Sequence, residues 1–172
     1  MLRGYTQVYT GHGKGKTTAA LGLALRAAGA GLKVFIAQFI KKKTCSEHRM
    51  INALNGLITI RQYGKGFFLK RKPAKHDIKA AQDGLNEIRE IIRSKKFDVI
   101  ILDEANVAAK YNIISVEDLL DLIGTKPRSV ELVITGRYAD ERIIEKADLV
   151  TEMRAIKHYN DKGVRARVGI EK

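Results

Sequence analysis

The chain has a single cysteine, Cys45, no tryptophan and two prolines in 172 residues, and its aromatic share is 6%. A lone cysteine excludes an internal disulfide and any cysteine-based metal cluster. The four histidines, His12, His48, His76 and His158, show no metal-ligand spacing. No run of about 18 uninterrupted apolar residues occurs, which argues against a membrane-spanning helix. The first residues run straight into a strand-like pattern, so no signal peptide is expected and the protein reads as cytoplasmic.

Acidic residues are also in short supply. Nineteen Asp and Glu face 32 Lys and Arg, a formal charge of +13. Such a charge suits a nucleic-acid surface, an acidic partner or a polyanionic small molecule. The basic clusters Lys41-Lys42-Lys43, Lys70-Arg71-Lys72 and Lys95-Lys96 are short, and no aromatic-and-glycine RNA-binding signature accompanies them. A basic surface around an anionic-ligand site explains the same composition without a nucleic-acid partner. With 45% apolar residues and no repeat, low-complexity tract or linker, residues 1–172 are expected to form one domain.

Glycine is concentrated where the chemistry starts, in Thr10-Gly11-His12-Gly13-Lys14-Gly15-Lys16-Thr17-Thr18. An alternating run, Tyr5-Thr6-Gln7-Val8-Tyr9, precedes it, and a helix-like run rich in Ala and Leu follows. Strand, glycine-rich turn and helix form the context of a phosphate-binding loop. The glycines let backbone N–H groups curl inward around phosphate oxygens, with the positive end of the helix dipole behind them. Lys16 is the candidate for the outer phosphates and Thr17 for Mg²⁺. Thr10 stands where the usual pattern has glycine, and Lys14 adds a second cation.

The second landmark is Phe97-Asp98-Val99-Ile100-Ile101-Leu102-Asp103-Glu104, an apolar strand ending in adjacent carboxylates. This is the Walker B arrangement. A strand's carboxyl end in an open α/β sheet places Asp103 and Glu104 beside the phosphate loop as candidate Mg²⁺ ligands. Thr135-Gly136-Arg137 follows another apolar strand and aims a hydroxyl and a guanidinium at the same crevice, with Arg137 a candidate phosphate or ribose contact.

Between these landmarks, strands are expected near 4–10, 33–40, 57–60, 97–104, 130–134 and 148–153. Helices are expected over 16–29, 47–55, 75–93, 116–123 and 140–146. The 16–29 helix is apolar around most of its circumference, which predicts neighbours on two sides. Residues 62–75 read as a long functional loop, and 159–169 as a turn or hairpin bending at Gly163. The alternation predicts a mostly parallel sheet covered by helices on both faces, a P-loop NTPase-like (RecA-type) α/β domain.

These residues alone leave kinase, ATPase and other uses of a nucleotide open. No Asn-Lys-x-Asp guanine-reading stretch occurs, which favours adenine, and no serine or cysteine sits in an activating context. Glu104 beside the loop keeps ATP hydrolysis, with or without nucleic-acid binding, as an alternative.

The sequence resembles the P-loop family of ATP:corrinoid adenosyltransferases. The matching stretches are Tyr9 to Ala20, Gln38-Phe39-Ile40-Lys41, Ile101-Leu102-Asp103-Glu104, Tyr111 and Thr135-Gly136-Arg137. Toward the end, Ala147-Asp148, Thr151-Glu152, Lys157-His158, Gly163-Val164 and Gly169-Ile170 follow in family order. The resemblance implies transfer of the 5′-deoxyadenosyl group of ATP to cobalt(I) of a reduced corrinoid, cobalamin or a precursor, with triphosphate leaving. It implies ATP held reversed relative to ordinary P-loop NTPases, with Mg²⁺, a reduced flavoprotein as electron donor, and a homodimer. It places the nucleotide on Thr10 to Thr18, Gln38, Lys41, Glu104 and Arg137. It makes Phe67, with Phe68 or Leu69, the apolar cover of the corrinoid. Two departures stand out: relatives continue after Gln-Phe-Ile-Lys with glycine and tryptophan where this chain has Lys42-Lys43, and Leu69 replaces a tryptophan in the corrinoid-facing loop.

Overall fold

The computed structural model describes residues 3–40, 46–52, 56–64 and 73–171. Six strands, β1 (Thr6–Thr10), β2 (Val34–Gln38), β3 (Ile58–Gln62), β4 (Val99–Asp103), β5 (Glu131–Thr135) and β6 (Leu149–Glu152), form one sheet in the order β3-β2-β4-β5-β1-β6. Every pairing is parallel. The connecting helices are α1 (Lys16–Gly29), α2 (Ser46–Asn52), α3 (Lys75–Ser94), α4 (Ala105–Lys110), α5 (Val116–Thr125) and α6 (Glu141–Lys146). The order places β5 between the strand that enters the phosphate loop and the strand that ends in carboxylates.

Strand alternation sorts the side chains into two cores. Phe35, Ala37, Ile100, Leu102, Leu132 and Ile134 join Leu85, Ile88, Leu119 and Ile143 on one face. Val34, Ile36, Ile58, Val99, Ile101 and Val133 meet Ala20, Ala24, Ala27 and Ala28 of α1 on the other. A parallel sheet buried on both faces needs such continuous apolar runs, and β2 and β4 are buried at every position.

The expected neighbours on two sides of α1 need correcting. Its alanines face the sheet, where small side chains allow close approach, while Leu21 and Leu23 are half-buried and Leu25 is 56% exposed. On α3, Ala81, Leu85, Ile88 and Ile92 are buried as the periodicity predicts, but Ile78 lies near the exposed first turn. Ser115 caps α5 as expected: its Oγ accepts from the Asp118 N–H at 3.0 Å, and the Asp118 carboxylate accepts from the Ser115 N–H at 3.0 Å.

Helix α4 was not expected, because it is six residues long and has no capping side chain; Glu104 precedes it in a left-handed conformation, φ 61°. The C-terminal arm, expected as a turn or hairpin bending at Gly163, takes the turn form: one 3₁₀ turn, Tyr159–Lys162, is ended by Gly163 at φ 68°. No helix among the described residues is long and apolar enough to cross a membrane.

Candidate nucleotide site

The phosphate loop connects β1 to α1 and is braced from the side by the chain leaving β6. The Met153 N–H donates to the Thr10 carbonyl at 2.9 Å, and the Gly13 N–H donates to the Met153 carbonyl at 2.6 Å. This contact explains two glycines. A Cβ on Gly13 would lie 2.7 Å from the Met153 carbonyl oxygen, and Gly11 has φ 92° with the same oxygen 2.5 Å from its would-be Cβ.

Lys16 opens α1 and is buried. Its ammonium donates to the carbonyls of Gly11 at 2.7 Å and Gly13 at 2.6 Å, so it spans the inside of the loop. Burial lowers its pKa from the ordinary lysine value; Glu104 and Asp103 oppose that shift, and the Arg137 charge adds to it. A cation desolvated in this way gains most from an anion placed against it.

Asp103 is the centre of the floor. It is 1% exposed, and its Oδ1 accepts from the hydroxyls of Thr17 and Thr135, each at 2.8 Å. Its Oδ2 accepts from Nε2 of Gln38 at 3.1 Å. The Thr135 hydroxyl also accepts the Glu104 N–H at 3.1 Å, which ties the backbone of both carboxylates to β5. Asn106 in α4 donates from Nδ2 to the Gly136 carbonyl at 3.3 Å, which holds the turn leading to Arg137.

Above this floor lies a cleft of about 870 Å³ lined by His12 to Thr18, Glu104 and Arg137. His12 meets Tyr138 edge to face, with ring centroids 5.2 Å apart. The predicted residues therefore separate into two groups. Lys14, Gly15, Lys16, Thr17, Thr18, His12, Gly13, Glu104 and Arg137 line the cleft. Thr10, Gln38 and Asp103 support it from below: the Thr10 hydroxyl accepts the Ala139 N–H at 3.4 Å, and Gln38 is fully buried. The Thr135 hydroxyl is turned to Asp103 and not into the crevice. Lys41, Phe67, Phe68 and Leu69 lie outside the described residues.

The residue types read for Mg²⁺ suit that ion. Thr17, Asp103 and Glu104 offer hard oxygen donors, and Mg²⁺ typically takes one or two carboxylates together with substrate phosphates. No cluster of three or more His, Cys, Asp or Glu able to hold a metal occurs among the described residues, so a complete protein cage is not what this site offers.

The far wall of the cleft was not legible from residue chemistry. His158, Tyr159, Asn160, Asp161, Ile170 and Glu171 of the C-terminal arm face the phosphate loop across the cleft. The turn or hairpin expected at Gly163 and the order of Lys157-His158, Gly163-Val164 and Gly169-Ile170 in the family resemblance marked this segment without placing it across the cleft.

The profile describing ATP:corrinoid adenosyltransferase BtuR/CobO/CobP matches residues 2–171. This chain belongs to the ATP:corrinoid adenosyltransferase family. It is 34% identical to the corrinoid adenosyltransferase of Escherichia coli (strain K12), over 98% of this chain and 86% of that one. It is 32% identical to the corrinoid adenosyltransferase of Pseudomonas aeruginosa, over 98% and 84%. Among solved structures, a KaiC-like protein of Pyrococcus horikoshii superposes with a TM-score of 0.59 at 19% identity, covering 87% of this chain and 73% of that one. That likeness speaks to the fold alone, the α/β P-loop architecture described above. The phosphate loop and Asp103 both lie within the matched residues.

Proposed function

We propose that this chain transfers the 5′-deoxyadenosyl group of ATP to the cobalt(I) centre of a reduced corrinoid, releasing triphosphate, in adenosylcobalamin biosynthesis or salvage. The observation that carries the reading is the buried, braced phosphate loop with Lys16 and Thr17 over Asp103, in a chain matched by the family along nearly its whole length. Cobalt(I) is itself the nucleophile. Its electron pair forms the bond to C5′ while the C5′–O bond breaks, and the bonding pair leaves with triphosphate. No protein base is required, and the protein's work is positioning and stabilising a highly anionic leaving group.

Lys16, Lys14, Arg137 and the loop amides stabilise that leaving group. Thr17, Asp103 and Glu104 would hold Mg²⁺, which would offset its charge. Phe67, with Phe68 or Leu69, covers the corrinoid and keeps a lower axial ligand off cobalt, and Lys41 and Gln38 complete the nucleotide side. A reduced flavoprotein supplies the electron that forms cobalt(I), in the cytoplasm, and one domain over 1–172 carries the activity. A homodimer fits the exposed apolar residues Leu149, Val150, Ile156 and Val168 along β6 and the arm.

The test is anaerobic incubation with Mg-ATP and chemically reduced cobalamin, following the corrin spectrum and the phosphate products together. An adenosyl-cobalt spectrum with stoichiometric triphosphate is the expected result. Orthophosphate formed without regard to corrinoid would make the protein a P-loop ATPase and remove the role of Phe67.

A further inference from the structure

The carboxyl ends of four neighbouring strands carry one row of polar side chains. Gln62 is in register with Gln38, and Gln38 with Asp103. Thr135 stands at the end of β5, one residue beyond the Leu102–Ile134 pair. Two residues back along each strand, Ile60, Ile36, Ile101 and Val133 all pack in the cluster against α1. Side chains alternate with a period of two, so Gln62, Gln38, Asp103 and Thr135 project toward α1 and its first turn.

The row is joined by hydrogen bonds with one possible polarity. A carboxylate only accepts, so Gln38 must turn its NH₂ to Asp103, at 3.1 Å. Its carbonyl oxygen then faces β3, where it accepts Nε2 of Gln62 at 3.2 Å. Were Gln38 to flip, its carbonyl would oppose the Asp103 carboxylate. Gln62 supplies the donor that opposes this flip, and aligned amide dipoles strengthen one another along such a chain. At the other end, Asp103 Oδ1 holds the Thr17 hydroxyl.

We propose that Gln62 is a positioning residue of the nucleotide site: by donating to Gln38 it fixes that amide, and through it the carboxylate of Asp103 that orients Thr17. Gln62 is not among the residues that line the cleft, and its hydrogen bond to Gln38 carries its influence toward Asp103. The inference rests on the Mg-ATP half of the proposed function and is independent of corrinoid transfer. It also gives Gln38 a specific job, that of a buried relay between β3 and β4.

The test is Mg-ATP binding by calorimetry without corrinoid, in the wild type, Gln62→Leu, Gln62→Glu, Gln38→Leu and the Gln38→Leu/Gln62→Leu double variant. Outer partners of metal ligands characteristically change metal affinity by about 10- to 100-fold, and Gln62, one bond further out, is expected at the low end, about tenfold. Gln62→Glu keeps the size and removes the donor, so it should lose as much as Gln62→Leu. The loss should shrink when ATP is offered with EDTA in place of Mg²⁺, because the relay acts through Asp103. In the Gln38→Leu background, Gln62→Leu should cost nothing further. A merely structural role would weaken both forms of ATP alike and would add to the Gln38 loss; either result overturns the proposal. So does a Gln62→Glu protein that binds as the wild type does, which keeps the test decisive if Gln62→Leu fails to fold. A wild type that does not bind Mg-ATP would instead remove the functional reading beneath it.

Discussion

Asp103, on the floor of the cleft, is 1% exposed and accepts hydrogen bonds from three side chains on three different elements. Tyr159, on the opposite wall, is 50% exposed, and its contact with Arg167, whose guanidinium lies 4.9 Å from the ring centroid, closes within the C-terminal arm. Arg167 continues to Glu171 at 2.8 Å, again inside the arm. The floor is thus set by the sheet register, which brings its donors and acceptors together from three elements. The wall is held locally, as suits a surface that meets ligands and partners. Catalysis by positioning demands the first kind of construction where charge develops. Access to a large substrate demands something closer to the second.

The largest expected effect tests the floor's charge. Lys16→Ala should cost roughly 2–4 kcal/mol in the transition state, the usual range for one preorganised electrostatic group. Near-normal adenosyl transfer by that variant would mean the phosphate loop is not where the leaving group sits. The wild type should also show an alkaline limit. Burial lowers Lys16 from 10.5, so in an alkaline titration it loses its proton earlier than an ordinary lysine. A bound triphosphate favours the charged form, so Mg-ATP affinity should fall as pH rises through that lowered pKa. The Lys16→Ala protein should lack this part of the decline in a calorimetric titration.

A smaller effect tests whether the row is preorganised. Thr135→Val keeps the shape but removes a donor from Asp103 and an acceptor from the Glu104 N–H. Leaving buried groups unsatisfied costs about 1–3 kcal/mol, so chemical denaturation should show a loss in that range. Thr135→Ser, which keeps the hydroxyl, should lose less. Equal losses for the two variants would mean that packing of the methyl, and not the hydrogen bonds, holds β5 to the floor.

Sequence patterning reads the floor well because its causes are periodic. The runs that become β2 and β4 are apolar up to their last residues, Gln38 and Asp103, which in a chain of alternating strands and helices means a parallel sheet buried on both faces. The carboxylates of Asp103 and Glu104 then fall at the edge where ligands gather. What patterning missed depends on neighbours distant in the chain. Gln62 is an unremarkable glutamine until the β2–β3 register brings it beside Gln38. Thr135 reads as a ligand group until β5 is found between β1 and β4, where its hydroxyl meets Asp103. Helix α4 lacks a capping signal because Glu104 enters it from a left-handed conformation. The arm has little periodicity of its own, and its place across the cleft follows from the Gly13 to Met153 hydrogen bond.

The smallest expected effect belongs to the wall. Arg167→Ala removes the contact with the Tyr159 ring and the pairs with Glu171, all at the surface. Exposed pairs of this kind contribute little to global stability, so the melting temperature should not move measurably. The local consequence is different, because Arg167 holds Glu171, whose pKa it lowers to about 2 chiefly through their side-chain hydrogen bond. Glu171 lines the cleft and feels the charge of Lys14. Released from Arg167, that carboxylate is free to compete with phosphate for Lys14, and Mg-ATP affinity should fall while the fold is unchanged. The double variant Arg167→Ala/Glu171→Gln should recover the affinity, since the competing charge is gone. If the melting temperature drops with Arg167→Ala, the arm is part of the cooperative fold, and the contrast between a fixed floor and a locally held wall fails.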